Sequence, residues 1–527
     1  MKTSIKVLLF AALGAAIMGA VAYAVLRSED PKSRADQEKI GTDLRRAVGM
    51  LEAMPPVPLL KLVSDVPSTP TSFGDEIQRQ AKMRTGDISQ IRRDFPAALL
   101  RFESGEISDS AAAIAVSAAH GPYDKAIPAL DQWIAEEPNS YAALVTRGIV
   151  RYRLGWHWRG GDYVAYTPLE NLAEMTRLQA LAVDDFVSAL SKTKYPVMAI
   201  GHLISIAVAQ GWSDEAKKLY LAGERLNPSS DELFASYKQI LYGEWGTGSL
   251  PAAKAFLRRA EENGVSLEAR SELMRHLLNA DGANRFSIGR PDALPHAVAF
   301  TDRYGTIDAW WWQSKVESSV GRYEYALKSL RRVIEKNSTS VDALGDMVTL
   351  LRKLNRPDDV KAAMRRIADL GSDWAQGEII NDMIWERNGE KRDWPKIRKE
   401  CEMSAEMRNP SGQNCVGGLY SDGLAGYPKD NAKAIQFFEL AARQGHSQAQ
   451  HDYAWMLIHG QAVKADREKG LFYMRNSARQ KFEPALNKLK QFGERTDNLD
   501  WKASAAETTK WNLKRLLDRG AEWARGS

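Results

Sequence analysis

The chain has 527 residues, enough for roughly two to four ordinary domains or for one extended array. Its hydrophobic content of 44% excludes wholesale disorder. The net charge of +5 arises from 72 basic and 67 acidic residues without a dense basic run. We therefore expect no nucleic-acid binding, which needs clustered Lys and Arg side chains.

An uncharged stretch, Val7–Leu26, follows Lys2 and Lys6 near the N-terminus. At a rise of about 1.5 Å per residue, a helix of this length matches the roughly 30 Å hydrocarbon core of a bilayer. The lysines favour a cytoplasmic N-terminus, so residues 1–27 are predicted to anchor the chain as its single membrane contact. Small residues up to Ala24 also fit a signal-peptide cleavage site, and a cleaved signal peptide is the alternative.

The next segment, residues 28–75, is polar and then rich in proline. Because proline fixes φ and removes a backbone donor, we expect a partly extended linker. Residues 43–54 are predicted to form a short helix within this linker.

Three segments that start at Gly121, Gly211 and Gly321 share one pattern, in which Ala follows five residues later and large residues continue at helical spacing. Glycine allows a tight turn between two helices, and alanine lets the helices approach closely. The pattern resembles the tetratricopeptide repeat, a helical hairpin of about 34 residues. The resemblance covers three good units, 107–140, 197–230 and 307–340, and three weaker ones, 141–155, 231–263 and 341–371.

The C-terminal third carries a second repeat, with a period of about 36 residues. Asp430 recurs as Asp466, and Ala449 recurs as Ala485, with glycines and large residues at matching positions between them. This pattern resembles the Sel1-like repeat, a relative of the tetratricopeptide repeat. Two units cover residues 411–484, and a third is predicted near 375–410.

The two resemblances imply an all-α fold, a right-handed superhelical solenoid of antiparallel helix pairs behind the N-terminal membrane helix. After the linker, the predicted regions are a tetratricopeptide-like region (76–371) with an aromatic insertion (156–168), Sel1-like repeats (372–493) and a C-terminal capping helix (494–527).

No sequence motif for catalysis or for a cofactor is present. The chain lacks a phosphate-binding loop, a dinucleotide-binding glycine motif and a nucleophile elbow, and no two histidines have metal-ligand spacing on a helix. We therefore predict no enzyme, no catalytic residue, no metal and no cofactor. Cys401 and Cys415 flank a predicted connection between helices, so a disulfide is allowed, and two buried free thiols are the alternative.

One aromatic cluster interrupts the repeat pattern where a turn is due. It contains Trp156, Trp158, Arg159 and Tyr163. Large rigid rings with Arg and Gly are typical of binding loops, because immobilising them costs little entropy. We predict a partner contact here, and the alternative is that the rings pack back onto the solenoid.

The second aromatic cluster is the triplet Trp310–Trp312. Successive helix positions are about 100° apart, so three consecutive side chains cannot all face one core. In the tetratricopeptide pattern, Trp310 takes a core position, whereas Asp308, Trp311 and Lys315 take positions that line the concave groove. These three are predicted partner contacts, and the alternative for Trp311 is contact with the neighbouring repeat.

The resemblance implies a protein that binds a protein or peptide partner in the concave groove. Similarity to bacterial envelope repeat proteins implies a scaffold or adaptor that is tethered in the inner membrane by a single pass, with its body in the periplasm. The alternative location is the periplasm, as a soluble protein cleaved near Ala24.

The alternative function is that of an immunity protein that neutralises a secreted lipase-type toxin. A distant alternative is an enzyme with a site in the 156–166 insertion, where His157 and Asp162 are the available groups. The partner and the oligomeric state are left open.

Overall fold

The computed structural model describes residues 31–55, 57, 73–160, 167–242, 250–281, 292–386, 391–494 and 496. Within these ranges the ordered elements are helices, and no strand occurs. The α-helices are α1 (Pro31–Ala53), α2 (Phe73–Thr85), α3 (Ser89–Glu103), α4 (Asp109–Ala113), α5 (Ile127–Glu136), α6 (Tyr141–Arg159), α7 (Leu169–Ala189), α8 (Val197–Ala209), α9 (Ser213–Leu226), α10 (Asp231–Tyr242), α11 (Leu250–Glu262), α12 (Leu267–Asp281), α13 (Ala293–Tyr304), α14 (Ile307–Ser319), α15 (Tyr323–Lys336), α16 (Val341–Lys353), α17 (Pro357–Asp369), α18 (Asp373–Ile384), α19 (Trp394–Glu406), α20 (Pro410–Asp422), α21 (Asn431–Arg443), α22 (Ser447–His459), α23 (Arg467–Arg479) and α24 (Glu483–Gln491).

The chain forms two compact units. The first comprises Met1–Glu38, Leu154–Leu178 and Gly371–Ser527, and the second comprises Lys39–Arg153 and Gln179–Leu370. In the second unit, four pairs of consecutive helices pack as hairpins, each with a first and a second helix: α8–α9, α10–α11, α14–α15 and α16–α17. Helix α12 takes the place of a first helix, since it packs against the first helices α10 and α14. The prediction of an all-α repeat fold built from helix pairs is thus confirmed for the part of the chain that the structure describes.

The hairpin of α14 and α15 shows why the glycine and alanine pattern recurs. Gly321 has a φ of 80° in the turn, a left-handed conformation that other residues adopt only with strain. Ala326 is fully buried at the helix contact, and its carbonyl oxygen accepts a hydrogen bond of 2.8 Å from the Ser314 hydroxyl. The Ser329 hydroxyl donates to the buried Glu317 carboxylate at 2.8 Å. Both bonds cross between the helices and fix their separation.

Two predicted repeat units depart from the regular hairpin. In the 107–140 unit, α4 has only five residues and is followed by a 3₁₀ segment, Ile114–Ala119. Pro122 follows shortly afterwards, and a proline disfavours the α conformation of the residue before it. In the 141–155 unit, α6 and α7 are longer than the hairpin helices, at 19 and 21 residues.

The predicted polar linker contains a helix that belongs to the core of the second unit. Ile40, Leu44 and Leu51 of α1 are fully buried. A guanidinium nitrogen of Arg225 in α9 donates to the Leu51 carbonyl oxygen at 2.6 Å. The structure thus shows a longer helix than the short one expected at 43–54, because the apolar residues of this segment recur at helical spacing and pack against a buried surface.

In the first unit, α18 to α23 form three hairpins and α24 follows them. The repeated aspartates begin the second helices, since the carboxylate of Asp430 accepts from the Lys433 N–H at 3.0 Å and that of Asp466 from the Lys469 N–H at 2.9 Å. The repeated glycines end the first helices in left-handed conformations, as at Gly460 with a φ of 66°. The 36-residue period therefore records where helices begin and end.

The two cysteines join consecutive hairpins of the first unit. Cys401 lies in α19 and Cys415 in α20, and a disulfide links them with 5.7 Å between their Cα atoms. Cys401 is fully buried, in a cluster with Ile397 and Val416. The bond therefore links the two hairpins at an apolar contact.

The predicted inner-membrane location must be corrected. Crossing a bilayer takes about 20 consecutive, mainly apolar residues. None of the helices that the structure describes is long and apolar enough for this. The described structure therefore does not support a single-pass inner-membrane protein. The predicted anchor (1–27), like most of the proline-rich linker and nearly all of the C-terminal cap (494–527), lies outside the described residues.

Candidate functional site

Charged side chains connect four neighbouring first helices, α10, α12, α14 and α16, in the second unit. Each pair joins a cation on one first helix to an acid on the next. The pairs are Lys238–Glu272, Arg275–Asp308 at 2.8 Å and Lys315–Asp346 at 2.7 Å. We call the side of α10, α12, α14 and α16 that carries these pairs the first-helix face. The repeated pairing means that its charged groups are held in place by the neighbouring repeat.

Trp311 lies on the first-helix face and is half-buried. Its indole N–H donates to one oxygen of Asp346 at 2.6 Å, and the Lys315 ammonium donates to the other oxygen at 2.8 Å. The same ammonium lies 5.9 Å from the centre of the Trp311 ring. The structure thus shows the contact with the neighbouring repeat that was the alternative for Trp311. A partner contact at Trp311 and Lys315 stays a prediction.

Asp308, the third predicted contact, is held by Arg275. Its two oxygens accept from the Arg275 guanidinium at 2.8 and 2.9 Å. That guanidinium also lies 4.9 Å from the centre of the Trp312 ring. The arrangement fixes the Asp308 carboxylate on the first-helix face, and its contact with a partner stays a prediction.

The core position of the tryptophan triplet belongs to Trp312 and not to Trp310. Trp312 is 9% exposed and packs in a cluster with Val316 and with Ala297 of α13, whereas Trp310 is half-buried. Trp312 and Val316 are four positions apart and therefore lie on the same side of α14. The prediction placed this apolar stripe two positions too early.

The other predicted aromatic cluster begins within a helix. Trp156, Trp158 and Arg159 form the last turn of α6, so the predicted insertion does not start at residue 156. The Arg159 guanidinium lies 5.7 Å from the centre of the Trp156 ring and donates to the Gly160 carbonyl oxygen at 2.9 Å. Tyr163 lies outside the described residues. Partner contacts at these four residues stay predictions.

A small cleft of about 20 Å³ lies within the first unit, beside the end of α6. We call it the junction cleft. It is lined by His157, Trp158, Asn171, Arg408, Gln413, Leu440, Arg443 and Gln444.

Close contacts hold the walls of the junction cleft together. The Asn171 amide donates to the Arg443 carbonyl oxygen at 3.0 Å, and the Gln444 amide donates to the Gln413 side-chain oxygen at 2.7 Å. Gly160 has a φ of 75°, and a Cβ atom there would lie 3.1 Å from the Cα of Gln444. Glycine therefore permits the close approach of the chain after α6 to the end of α21.

A charge network lies behind one wall of the cleft. Glu439 accepts hydrogen bonds from Arg443 at 2.8 Å, from the Tyr453 hydroxyl at 2.7 Å and from Lys469 at 3.3 Å. Burial on its own raises the pKa of Glu439, but Arg443, Lys469 and the Tyr453 hydroxyl outweigh it and lower the pKa to about 2. Glu439 thus stays ionised and fixes Arg443 at the edge of the cleft.

Metal-binding groups do not converge in the part of the chain that the structure describes. Within it, no three His, Cys, Asp or Glu side chains are close enough together to hold a metal ion. His157 lines the junction cleft, and Asp162, its suggested catalytic partner, lies outside the described residues. The arrangement provides hydrogen-bond donors, hydrogen-bond acceptors and aromatic walls, which suit binding.

The sequence analysis missed most of the junction cleft. Asn171 and Arg443 are 272 positions apart and meet only in the folded unit. Neither belongs to a local motif, because a carboxamide and an arginine on helix surfaces are common. Only Trp158 was named as a predicted partner contact, from its aromatic neighbours.

Comparison with known proteins places two repeats in the first unit. Residues 410–446 and 447–482 match the Sel1 repeat model. The chain thus contains two tandem Sel1 repeats, and the predicted resemblance is confirmed. No curated protein matches the chain.

Several solved repeat structures are similar to this chain at low identity. A Sel1 repeat protein from Oxalobacter formigenes is 20% identical with a TM-score of 0.31, and the match covers 46% of this chain and 98% of that one. A protective antigen of uropathogenic Escherichia coli with an SLR fold is 16% identical with a TM-score of 0.35, over 85% and 96% of the two chains. Yeast Tom70 is 12% identical with a TM-score of 0.32, over 93% and 91%.

Proposed function

We propose that this protein is a non-catalytic adaptor that binds a protein partner through its helical repeats. The observation that carries the proposal is the run of hairpins, two of them Sel1 repeats, whose fold is typical of protein-interaction scaffolds. In such arrays the first helices of successive repeats present one extended surface, which suits a peptide or protein better than a small substrate.

The first-helix face has the properties of a partner contact. Trp311 and Lys315 are both held by Asp346, so part of the entropy cost of ordering them is met before binding. Tryptophan is enriched among residues that dominate binding energy, because a large rigid ring buries much area on contact. We therefore propose Trp311, Lys315 and Asp308 as partner contacts, with Asp308 held in place by Arg275.

Affinity capture with the full chain as bait, followed by quantitative mass spectrometry, tests the proposal. We expect one protein, or one small set, to be enriched at least tenfold over the tag alone. No enrichment with a bait that circular dichroism shows to be folded would contradict the adaptor function.

The composition of the captured set separates two roles. Several proteins of one assembly indicate a scaffold or adaptor, which is the role we propose. A single secreted enzyme in one-to-one ratio, inhibited on binding, would indicate an immunity protein instead.

A further inference from the structure

The pairing of Asp308 depends on its position in the repeat. Asp308 is the second residue of α14, which begins after Thr306, whose hydroxyl oxygen accepts from the Ala309 N–H at 3.2 Å. Its partner, Arg275, is the ninth residue of α12, the preceding first helix. The acid at the start of this first helix is thus balanced by a cation on the first helix before it.

Glu232 has the same position in α10 as Asp308 has in α14. It is the second residue of α10, which begins after Ser230, whose hydroxyl oxygen accepts from the Leu233 N–H at 3.1 Å. The preceding first helix is α8, which packs against α10. The ninth residue of α8 is Ser205. The position that supplies a cation for Asp308 therefore holds a serine in the helix before Glu232.

The Glu232 carboxylate forms no ion pair and no hydrogen bond with the residues that the structure describes. Helix α8 contains no Lys or Arg, and its one histidine, His202, stays neutral because burial lowers its pKa to about 4. Burial raises the pKa of Glu232 to about 7, and the neighbouring acids Asp109 and Asp231 add to the effect. A carboxylate in these surroundings is stabilised by an added cation, so Glu232 points to a cation from another molecule.

We propose that the partner presents a basic segment to the first-helix face and that a Lys or Arg side chain of this segment pairs with Glu232. The cation takes the place beside Glu232 that Arg275 takes beside Asp308. This inference rests on the proposed function, because it names the chemistry of the segment that the partner presents.

A side chain of another molecule can reach Glu232. Glu232 is partly exposed, whereas the neighbouring Asp109 is 3% exposed. Ser205 of α8, together with Ala235 and Ser236 one turn further along α10, is small and at least partly exposed. These short side chains leave the apolar stem of a Lys or Arg free to lie along the surface, with its charged end at Glu232.

The charge of the first-helix face favours the same kind of segment. Each of the three cations in its pairs is balanced by an acid. The second residues of its four helices are all acidic, namely Glu232, Glu268, Asp308 and Asp342. Of these, Asp308 alone forms an ion pair with a described residue. The face therefore carries an excess of negative charge, which attracts a basic segment and repels an acidic one.

Saturation-transfer NMR on the full chain at low ionic strength, where exposed charges are least screened, tests the inference. One probe is the capped peptide acetyl-Ala-Arg-Ala-Arg-Ala-amide, and the other has Gln in place of both Arg residues. We expect the Arg peptide to bind saturably with a Kd on the order of 1 mM, since it makes few contacts. The Gln peptide should bind at least fivefold more weakly.

The chain offers a matched pair of carboxylates. Glu232→Gln should weaken binding of the Arg peptide at least fivefold, because it removes the charge that the cation pairs with. Glu324 is also the second residue of a helix, but that helix is the second helix α15. Glu324→Gln should therefore leave the Kd of the Arg peptide unchanged.

Ser205→Arg tests the geometry without a partner, because it supplies the cation that α8 lacks. We expect it to raise the melting temperature at pH 8, where Glu232 is ionised, since the new guanidinium pairs with Glu232. It should also weaken the Arg peptide at least fivefold, because Glu232 is then occupied. Ser205→Gln adds a side chain without charge and should not raise the melting temperature.

Equal Kd values for the two peptides, no saturable binding of the Arg peptide, or equal losses in Glu232→Gln and Glu324→Gln would overturn the inference. A folded Ser205→Arg variant that binds the Arg peptide as tightly as wild type would do the same. Thermal unfolding checks that each variant is folded. The result is separable from the adaptor proposal, because a partner captured equally well by wild type and by Glu232→Gln would leave the adaptor function standing and remove Glu232 from its contacts.

Discussion

At the scale of single residues, partly buried carboxylates have the clearest energetic consequences. Glu439 accepts from Arg443, Tyr453 and Lys469, which hold its pKa at about 2 against an ordinary value of 4.5. Because the folded-state pKa is lowered, the stabilising contribution is fully present above about pH 4.5 and is lost as the pH falls towards 2. The sequence could not predict this network, since its members lie on three different helices.

Replacing Glu439 by Gln should lower the melting temperature at pH 7 much more than near pH 2. Gln keeps the shape but removes the charge that pairs with Arg443 and Lys469. The control is Glu335→Gln, whose carboxylate is 63% exposed and forms a surface pair with Arg332. Such pairs contribute about 0–1 kcal/mol to the free energy of unfolding, so the melting temperature of this variant should stay close to that of wild type at either pH. An equal decrease in the melting temperature of Glu439→Gln at pH 7 and near pH 2 would contradict the lowered pKa of Glu439.

Glu232 behaves in the opposite way. Burial is the main cause that raises its pKa to about 7, and the neighbouring Asp109 and Asp231 add to the effect. A raised carboxyl pKa means that the folded state holds its proton longer, so this group costs stability progressively as the pH rises from about 4.5 to 7. Glu232→Gln should therefore melt at a higher temperature than wild type at pH 8 and at nearly the same temperature at pH 4.5. A lower melting temperature at pH 8 would show that the carboxylate is stabilising.

The tryptophan triplet shows what the sequence could predict at this scale. Helix geometry alone required that the three rings face different directions, and Trp312 is buried while Trp310 and Trp311 are half-buried. Which ring is buried depends on Ala293 and Ala297, which α13 brings against α14. That contact is tertiary and carries no local signal.

At the scale of helices, the repeat pattern predicted the hairpins because glycine turns, buried alanines and aspartate caps recur at fixed spacing. For α1, the sequence predicted only a short helix at 43–54 within a linker, since the average over residues 28–75 is polar and prolines follow the helix. The buried stripe of Ile40, Leu44 and Leu51 is too short to stand out without its partners. Packing against α9 therefore decides the state of this segment.

Two glycines in α1 test that packing. A Cβ atom on Gly41 would lie 2.6 Å from the Trp212 ring, whereas one on Gly49 would meet nothing within 4 Å. Alanine is a better helix former than glycine by about 1 kcal/mol, so Gly49→Ala should raise the melting temperature slightly. Gly41→Ala should lower it, because the ring or the helix must shift. The same change in both variants would mean that α1 is not packed against Trp212.

At the scale of the whole molecule, the adaptor proposal rests on repetition. The same helix pair, used many times, provides a more extended surface than a single small-molecule site needs. Among the described residues, no group of His, Cys, Asp and Glu side chains is placed to hold a metal ion. The fold class followed from the sequence because repeats are a periodic signal. The junction cleft did not, because it depends on residues 272 positions apart.

The most direct test of the central claim compares two aromatic residues of one hairpin. Trp311 lies on the first-helix face, and Tyr325, which is 56% exposed, lies on the second helix, α15. The measurement is the Kd of the captured partner for wild type, Trp311→Ala and Tyr325→Ala. We predict that Trp311→Ala weakens binding by about 2 kcal/mol or more, as for a hot spot, and that Tyr325→Ala leaves it unchanged. An unchanged Kd for a folded Trp311→Ala variant would contradict binding at the first-helix face.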